Sequence, residues 1–251
     1  MPGFLGWWST AASAWRVQGP RFALARTLAY LSAPLALGWR RGFREPPEFE
    51  LDGRRYRAAW HLYNRTWRNE RAVELPLAFA ELAGIDPERV LEIGNVLSWY
   101  RPTRHTVVDR YERGARILRQ DVAELDLGRD FDRIVSVSTL EHVGWDESPP
   151  DPARFDRAVA ALRRHLAPGG SMLVTLPLGQ NPGIRERVER GALGFASTSF
   201  LLRLDRSGRW RQSEWSAVRE ARYDQPFPGA NALVVARHGA APRAEGRGAI
   251  R

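Results

Sequence analysis

Arg89 to Tyr111 reads RVLEIGNVLSWYRPTRHTVVDRY. Val90 to Ile93 has the composition of a buried strand and runs into Gly94, and Thr106 to Val108 is a second apolar strand that ends in Asp109. An acid and a glycine at the tip of one strand, with an acid at the tip of the next, make an arrangement that cradles a nucleoside. The glycine lets the backbone approach a ligand, and the second acid accepts from both ribose hydroxyls. Such loops usually carry two or three glycines; here Gly94 stands alone.

Downstream the pattern repeats. Ala115 to Arg119 reads as a short strand followed by Asp121, and Arg133 to Ser138 as a buried strand that ends in Ser138-Thr139. Arg154 to Leu166 carries Phe155, Val159, Leu162 and Leu166 at the spacing of an amphipathic helix, which Pro168-Gly169-Gly170 is expected to stop. Ser171 to Leu176 is a fifth apolar strand. Strands alternating with helices predict a Rossmann-like α/β fold with a mostly parallel sheet covered on both faces. In such sheets ligands sit beyond the carboxyl ends of the strands, where Glu92, Asp109, Asp121, Ser138 to His142 and Pro177 to Asn181 all fall.

Working outward in the other direction, Phe49 to Tyr56 predicts a small hairpin around Asp52-Gly53. Thr66 reads as the N-cap of a helix through Leu75, with Pro76 kinking it or opening a second short helix to Gly84. The aromatic and polar residues of Trp60 to Arg71 suit a segment folded over the open strand ends, or a partly buried helix with surface arginines. Gly183 to Gly191 predicts a charged helix, Thr198 to Glu214 a hairpin turning at Asp205 to Gly208, and Asn231 to Arg237 a last strand. The expected organisation is an apolar, basic helical extension over residues 1–48, one domain over 49–237, and a disordered tail over 238–251.

The net charge of +9 comes entirely from arginine, since the chain has no lysine. Residues 1–48 carry +4 and residues 238–251 carry +2, which leaves the central domain only mildly basic. A phosphate-tracking groove needs clustered charge on a folded face, so nucleic acid is disfavoured as a partner. Cysteine is absent and the five histidines show no ligand spacing, which argues against disulfides and a zinc site; no metal is expected. Thr27 to Trp39 is too short to span a bilayer, and Met1-Pro2-Gly3-Phe4 lacks the basic start of a secretory signal. The expected location is cytoplasmic. For residues 1–48, with Trp7, Trp8, Trp15 and Trp39, two readings stand: peripheral contact with the inner face of a membrane, or packing on the domain or a second subunit.

Glu92-Ile93-Gly94, Asp109, Asp121-Val122, Phe131 to Val135, Ser138 to Val143 and Leu166 to Gly170 together resemble class I S-adenosylmethionine-dependent methyltransferases in order and spacing. His61 to Glu74, Gly144 to Glu147 and Pro177 to Pro182 resemble an uncharacterised bacterial subgroup associated with surface-polysaccharide and sugar pathways. The resemblance implies a seven-stranded sheet with an antiparallel last strand, and S-adenosylmethionine as cofactor. It implies that Glu92, Gly94 and Asn95 hold the methionine end, Asp109 and Arg110 the ribose side, Asp121 and Val122 the adenine, and that Ser138 and Leu140 line the pocket. His142 is the candidate base, its imidazole being the side chain that ordinarily titrates near neutrality, and Glu141 orients it or acts itself. The alternative for His142 is a helix cap. Where the family carries further glycines this chain has Val96 and Ser98.

The function expected is methyl transfer to a small polar acceptor such as a sugar, glycolipid or metabolite. A non-catalytic binding or scaffold protein on the same fold is an alternative. A nicotinamide-dependent oxidoreductase is disfavoured by the absence of a GxGxxG loop.

Overall fold

The computed structural model describes residues 32–239. Its chain order is helix α1 (Ala33–Phe43), the hairpin β1 (Glu48–Leu51) and β2 (Arg54–Arg57), helix α2 (Arg71–Leu82), then β3 (Val90–Ile93), β4 (Thr106–Val108), β5 (Ile117–Leu118) and β6 (Phe131–Val137). Helix α3 (Ala153–Arg164), β7 (Leu166–Pro177), helix α4 (Pro182–Glu189), β8 (Ser197–Arg203), β9 (Trp210–Ser213), the short helix α5 (Trp215–Val218) and β10 (Ala232–His238) complete it. Residues 1–31 of the expected extension and 240–251 of the expected tail lie outside the described residues.

The main sheet has eight strands in the order β5-β4-β3-β6-β7-β10-β8-β9. The first five run parallel, and β10 lies antiparallel between β7 and β8. This is the Rossmann-like α/β architecture expected, with its reversed last strand. The strand count is corrected from seven to eight, because β9 folds back on β8 through the hairpin turn. Within that turn the Asp205 carboxylate accepts from the Ser207 and Arg209 backbone N–H groups. From β3 the chain builds outward through β4 to β5, then returns to the other side of β3 for β6 and β7. The gap between the ends of β3 and β6 is therefore the topological switch point, where open α/β sheets bind ligands.

Strand alternation builds the two covered faces. Ile134, Met172, Val174, Leu176 and Val234 point into a core closed by Phe155, Ala158, Val159 and Leu162 of α3. Val135, Val137, Leu173, Leu233 and Val235 point the other way, onto Val73, Leu75, Leu77 and Ala78 of α2 and onto Phe49 and Leu51 of the hairpin. The centre strands are largely apolar on both sides, as parallel sheets covered by helices require, with Glu92, Ser136 and Thr175 as buried polar exceptions.

Three local readings are corrected. Thr66 caps no helix: it lies in a 3-10 segment, Tyr63–Arg68, where its hydroxyl accepts from the His61 N–H at 2.8 Å and donates to the Ala59 carbonyl. Pro76 neither ends nor splits α2. Having no N–H, it leaves the Ala72 carbonyl without the usual helical donor, and the Ala59 N–H takes that place at 2.8 Å. Pro168 to Gly170 do not form a helix stop; α3 ends at Arg164 and β7 has already begun at Leu166.

Candidate active site

A cleft of about 100 Å³, open to solvent, lies at the switch point. The tip of β3 contributes Ile93 and Gly94, and the tip of β4 contributes Val108 to Tyr111. The turn after β5 brings Gln120 to Val122, and the turn after β6 brings Thr139, His142 and Val143, with Asp146 and Glu147 following.

Gly94 has φ +78°, a backbone that favours glycine, and an added Cβ there would lie 2.2 Å from Thr139 Oγ1. The glycine thus lets the β3 loop press against the β6 turn, closing the floor of the cleft. Glu92 shapes the same loop from beneath. Fully buried, its carboxylate accepts from the Val96 N–H at 2.8 Å and the Leu97 N–H at 2.7 Å, and its other oxygen pairs with His105 Nε2 at 2.6 Å. Glu92 therefore positions the loop and does not line the cleft. Val96 packs toward the α2-side core and Ser98 bonds to Asn95, and neither lines the cleft.

Asp109 faces the cleft, with its carboxylate fixed by backbone N–H groups of Tyr111 and Glu112, both at 2.8 Å, and of Asn95 at 3.2 Å. The Asn95 side chain donates to Glu112 at 2.6 Å, outside the cleft lining. Asp121 caps the turn after β5 by accepting from the Ala123 N–H at 2.9 Å. Its second oxygen pairs with Arg154 of α3 and, at 3.3 Å, with Arg110. Glu147 meets the same two arginines at 3.0 and 3.3 Å. Two acids and two arginines thus cross the mouth of the cleft as one network. The half-exposed Arg110 is its mobile member by chemistry, since a long side chain in solvent exchanges ion-pair partners at little cost.

His142 lines the cleft edge. Its Nδ1 lies 2.8 Å from Asp146 Oδ2 and its Nε2 lies 3.8 Å from Glu141 Oε1. Glu141 is fully buried behind it, and neither of its carboxyl oxygens has a hydrogen-bond partner. Burial, reinforced by the Glu74 charge, holds this carboxyl well above the usual carboxylate range and favours its protonated form.

Glu141 borders a second polar group on the α2 side. Glu74 accepts from Ser138 Oγ at 2.5 Å and Thr175 Oγ1 at 2.7 Å, and pairs with Arg71. Burial opposes the charge on Arg71, but the carboxylates of Glu74 and Glu70 outweigh it and hold the guanidinium above its ordinary value. Glu70 accepts from the Ala230 N–H at 2.8 Å, and its carboxyl is raised by burial and by Glu74. Tyr100 is pushed up to about 12, chiefly by burial. Ser138 sits at φ +41°, a rare backbone for a non-glycine residue, held there by the Glu74 bond and by its own N–H to the Thr175 carbonyl at 3.1 Å.

Of the residues read from the sequence, Gly94, Asp109, Arg110, Asp121, Val122 and His142 meet at the cleft. Glu92 and Glu141 are buried behind the cleft, Asn95 and Ser138 bond beside it, and Leu140 belongs to the α3-side core; none of these five is in the lining, so Ser138 and Leu140 depart from their expected place. Thr139 rather than Ser138 faces the cleft, because the chain turns over at Ser138. Arg154, Glu70, Arg71 and Glu74 were not identified from sequence. Their partners come from other elements, and no local spacing marks them.

No family model matches the chain, and no curated protein matches it in sequence. Solved structures match it more distantly. The N-methyltransferase NodS from Bradyrhizobium japonicum WM9, in complex with S-adenosylhomocysteine, is 19% identical over 68% of this chain and 90% of its own, with a TM-score of 0.42. A possible histamine N-methyltransferase from Thermotoga maritima is 17% identical over 70% and 92%, with a TM-score of 0.40. The glycopeptide N-methyltransferase MtfA, complexed with S-adenosylmethionine, is 13% identical over 65% and 92%, with a TM-score of 0.38. All three scores lie below 0.5, and the fold assignment rests on strand order and register.

Proposed function

We propose that this protein binds S-adenosylmethionine in the switch-point cleft and transfers its methyl group to a small polar acceptor such as a sugar, glycolipid or metabolite. The observation that carries the reading is convergence. Gly94, Asp109, Asp121, Val122 and His142 come from four separate strand ends and line one cleft.

The residue types fit the cofactor. Asp109 offers a carboxylate for a ribose hydroxyl, held by three backbone N–H groups that leave one acceptor site free on Oδ2. Ile93, Val108 and Val122 offer an apolar wall for an adenine ring, with Asp121 beside it as an acceptor for the exocyclic amine. The cofactor would supply an electrophilic methyl group on a sulfonium. The chain's part is to align the acceptor and take its proton. His142 is the cleft residue suited to that proton. Its Nδ1 bond to Asp146 fixes the ring and leaves Nε2 as the basic nitrogen, while the buried carboxyl of Glu141 stands behind it. An acceptor approaching this edge also meets Asp146, Glu147 and the half-exposed Trp145, groups suited to hydroxyl-bearing molecules.

Titration calorimetry with S-adenosylmethionine and S-adenosylhomocysteine tests the reading. Binding is expected, weakened at least about tenfold (about 1.4 kcal/mol) in Asp109→Ala. Absence of binding by both, or equal binding by the variant at unchanged thermal stability, would sink it. Turnover separates the enzyme from a binding protein with the same cleft: S-adenosylhomocysteine accumulates with a true acceptor, and His142→Ala slows it about a hundredfold or more.

A further inference from the structure

Helix α1 carries apolar side chains on two opposite faces. One face is used: Ala33 and Leu37 are buried against Trp60 and Trp67 of the segment that precedes α2. The opposite face presents Leu35, Trp39 and Phe43, at 78, 58 and 75% exposure. Their i, i+4, i+8 spacing sets them in one ridge along a helix about 16 Å long. Large exposed apolar groups scattered singly need no explanation, but three in a ridge mark an interaction surface.

The charges around the ridge identify its partner. Arg40 stacks over the Trp60 ring at 5.6 Å, Arg41 donates to the Trp60 carbonyl at 2.9 Å, and Arg44 lies over the Trp39 ring at 6.0 Å. Arg44 thus meets the ridge at its carboxyl end, whereas Arg40 and Arg41 reach back to Trp60 on the buried face and hold the helix to the domain. In sequence, residues 1–44 contain six arginines and no acidic residue, together with Trp7, Trp8 and Trp15. An apolar ridge on an arginine-rich stretch without a single acid is complementary to an anionic lipid surface. A second copy of this chain is the poorer occupant, since it would bring two arginine-rich stretches without a single acid against each other. Among the described residues no helix is long and apolar enough to cross a membrane, so the contact would be made along the surface.

We propose that α1 docks this protein on an anionic bilayer, with Leu35, Trp39 and Phe43 entering the boundary between headgroups and acyl chains and the arginines meeting lipid phosphates. The buried face of the helix then ties the docked surface to the cleft by a short path. Trp60 leads to His61 and Tyr63, whose rings meet Tyr100 and Trp99 at 5.1 Å each, on the loop that follows Gly94.

Vesicle flotation with the full chain tests this. With phosphatidylcholine vesicles containing about one-third phosphatidylglycerol the protein is expected to float, and with phosphatidylcholine alone to stay largely at the bottom. High salt should weaken binding about tenfold, as screening of the arginines requires. The triple variant Leu35→Gln, Trp39→Gln, Phe43→Gln keeps the charge and the helix propensity, and should lose at least about tenfold in vesicle partition with an unchanged circular dichroism spectrum and thermal midpoint. Three results would overturn the proposal: no flotation of the unaltered chain with anionic vesicles; equal flotation of the triple variant, which places binding elsewhere in the chain; or a dimer of the unaltered chain that the variant dissolves while neither floats, which makes a second copy the occupant.

Discussion

Helix α2 carries two buried glutamates seven residues apart, on one face and at opposite ends of the sheet. They live in different electrostatic worlds. Glu81 lies over the amino ends of the parallel strands. It accepts from Ser171 Oγ and from Arg237 at 2.7 Å, and has Arg133 at 3.7 Å, so two cations answer one anion. Glu74 lies over the carboxyl ends, where Glu70 and Glu141 join it and the three carboxyl groups outnumber their cations, Arg71 and, beside Glu70, Arg203. The same sheet face supplies both sets of partners: Arg133, Ser171 and Arg237 at one end, Ser138 and Thr175 at the other. Between them the face is apolar. A fold needs only the first kind of cluster. The second keeps a surplus of carboxyl groups out of water at a cost in stability, and it stands beside the candidate base, which is the pattern of a functional site.

The contrast is sharpened first at Glu81. Glu81→Ala leaves Arg237 buried without its carboxylate, and urea unfolding should show a loss of about 3–5 kcal/mol. Cofactor affinity of the folded fraction should be unchanged; a parallel loss of affinity would break the division between the two ends. Glu74→Gln keeps the shape and one acceptor but removes the charge facing Arg71, and a loss of about 1–3 kcal/mol is expected by the same measurement, together with a fall in turnover that Glu81 variants do not show.

Glu141 should respond with the opposite sign. Its folded-state carboxyl is held above the unfolded value, so above that value the native state binds more protons than the unfolded chain. Stability therefore falls as pH rises from the ordinary carboxylate range through the folded-state pKa. Glu141→Gln cannot ionise, and near pH 8 it should be more stable than the unaltered protein, with the gain vanishing near pH 4. Thermal melts across that range check it, and a variant less stable at pH 8 than at pH 4 relative to the parent would contradict the burial argument. The smallest effect is expected at Arg110. Its ion pairs lie at the solvent-exposed mouth, so Arg110→Ala should move stability by no more than about 0.5 kcal/mol. Because Arg110 crosses the mouth of a narrow cleft, calorimetry should find nucleoside affinity kept or raised.

The cleft was legible in the sequence because its makers are strand ends. An apolar run that stops at Gly94, Asp109 or Asp121 announces both the strand and the group presented at its tip, and parallel pairing then gathers the tips. The α2-side cluster was not legible for the converse reason. Glu74 finds Ser138 and Thr175 at separations of 64 and 101 residues, and Glu81 finds Arg237 at 156. Proline at 76 argued for a break between the two glutamates, hiding their shared face. Side-chain reach was the other loss. Glu92 was placed at the right strand end, but sequence could not tell a carboxylate aimed at a ligand from one folded beneath its own loop.

The Pro76 exchange bears on how the outer layer is held. One missing hydrogen in α2 turns the Ala72 carbonyl outward as a mooring point, and the chain ahead of Trp60 ties up to it through the Ala59 N–H. That tie is main chain to main chain, so it asks nothing of the side chains at 59 or 72 beyond room to approach. Around that single main-chain mooring, the burial of Phe49 and Leu51 on α2 and of Ala33 and Leu37 on Trp60 and Trp67 holds the rest of the layer.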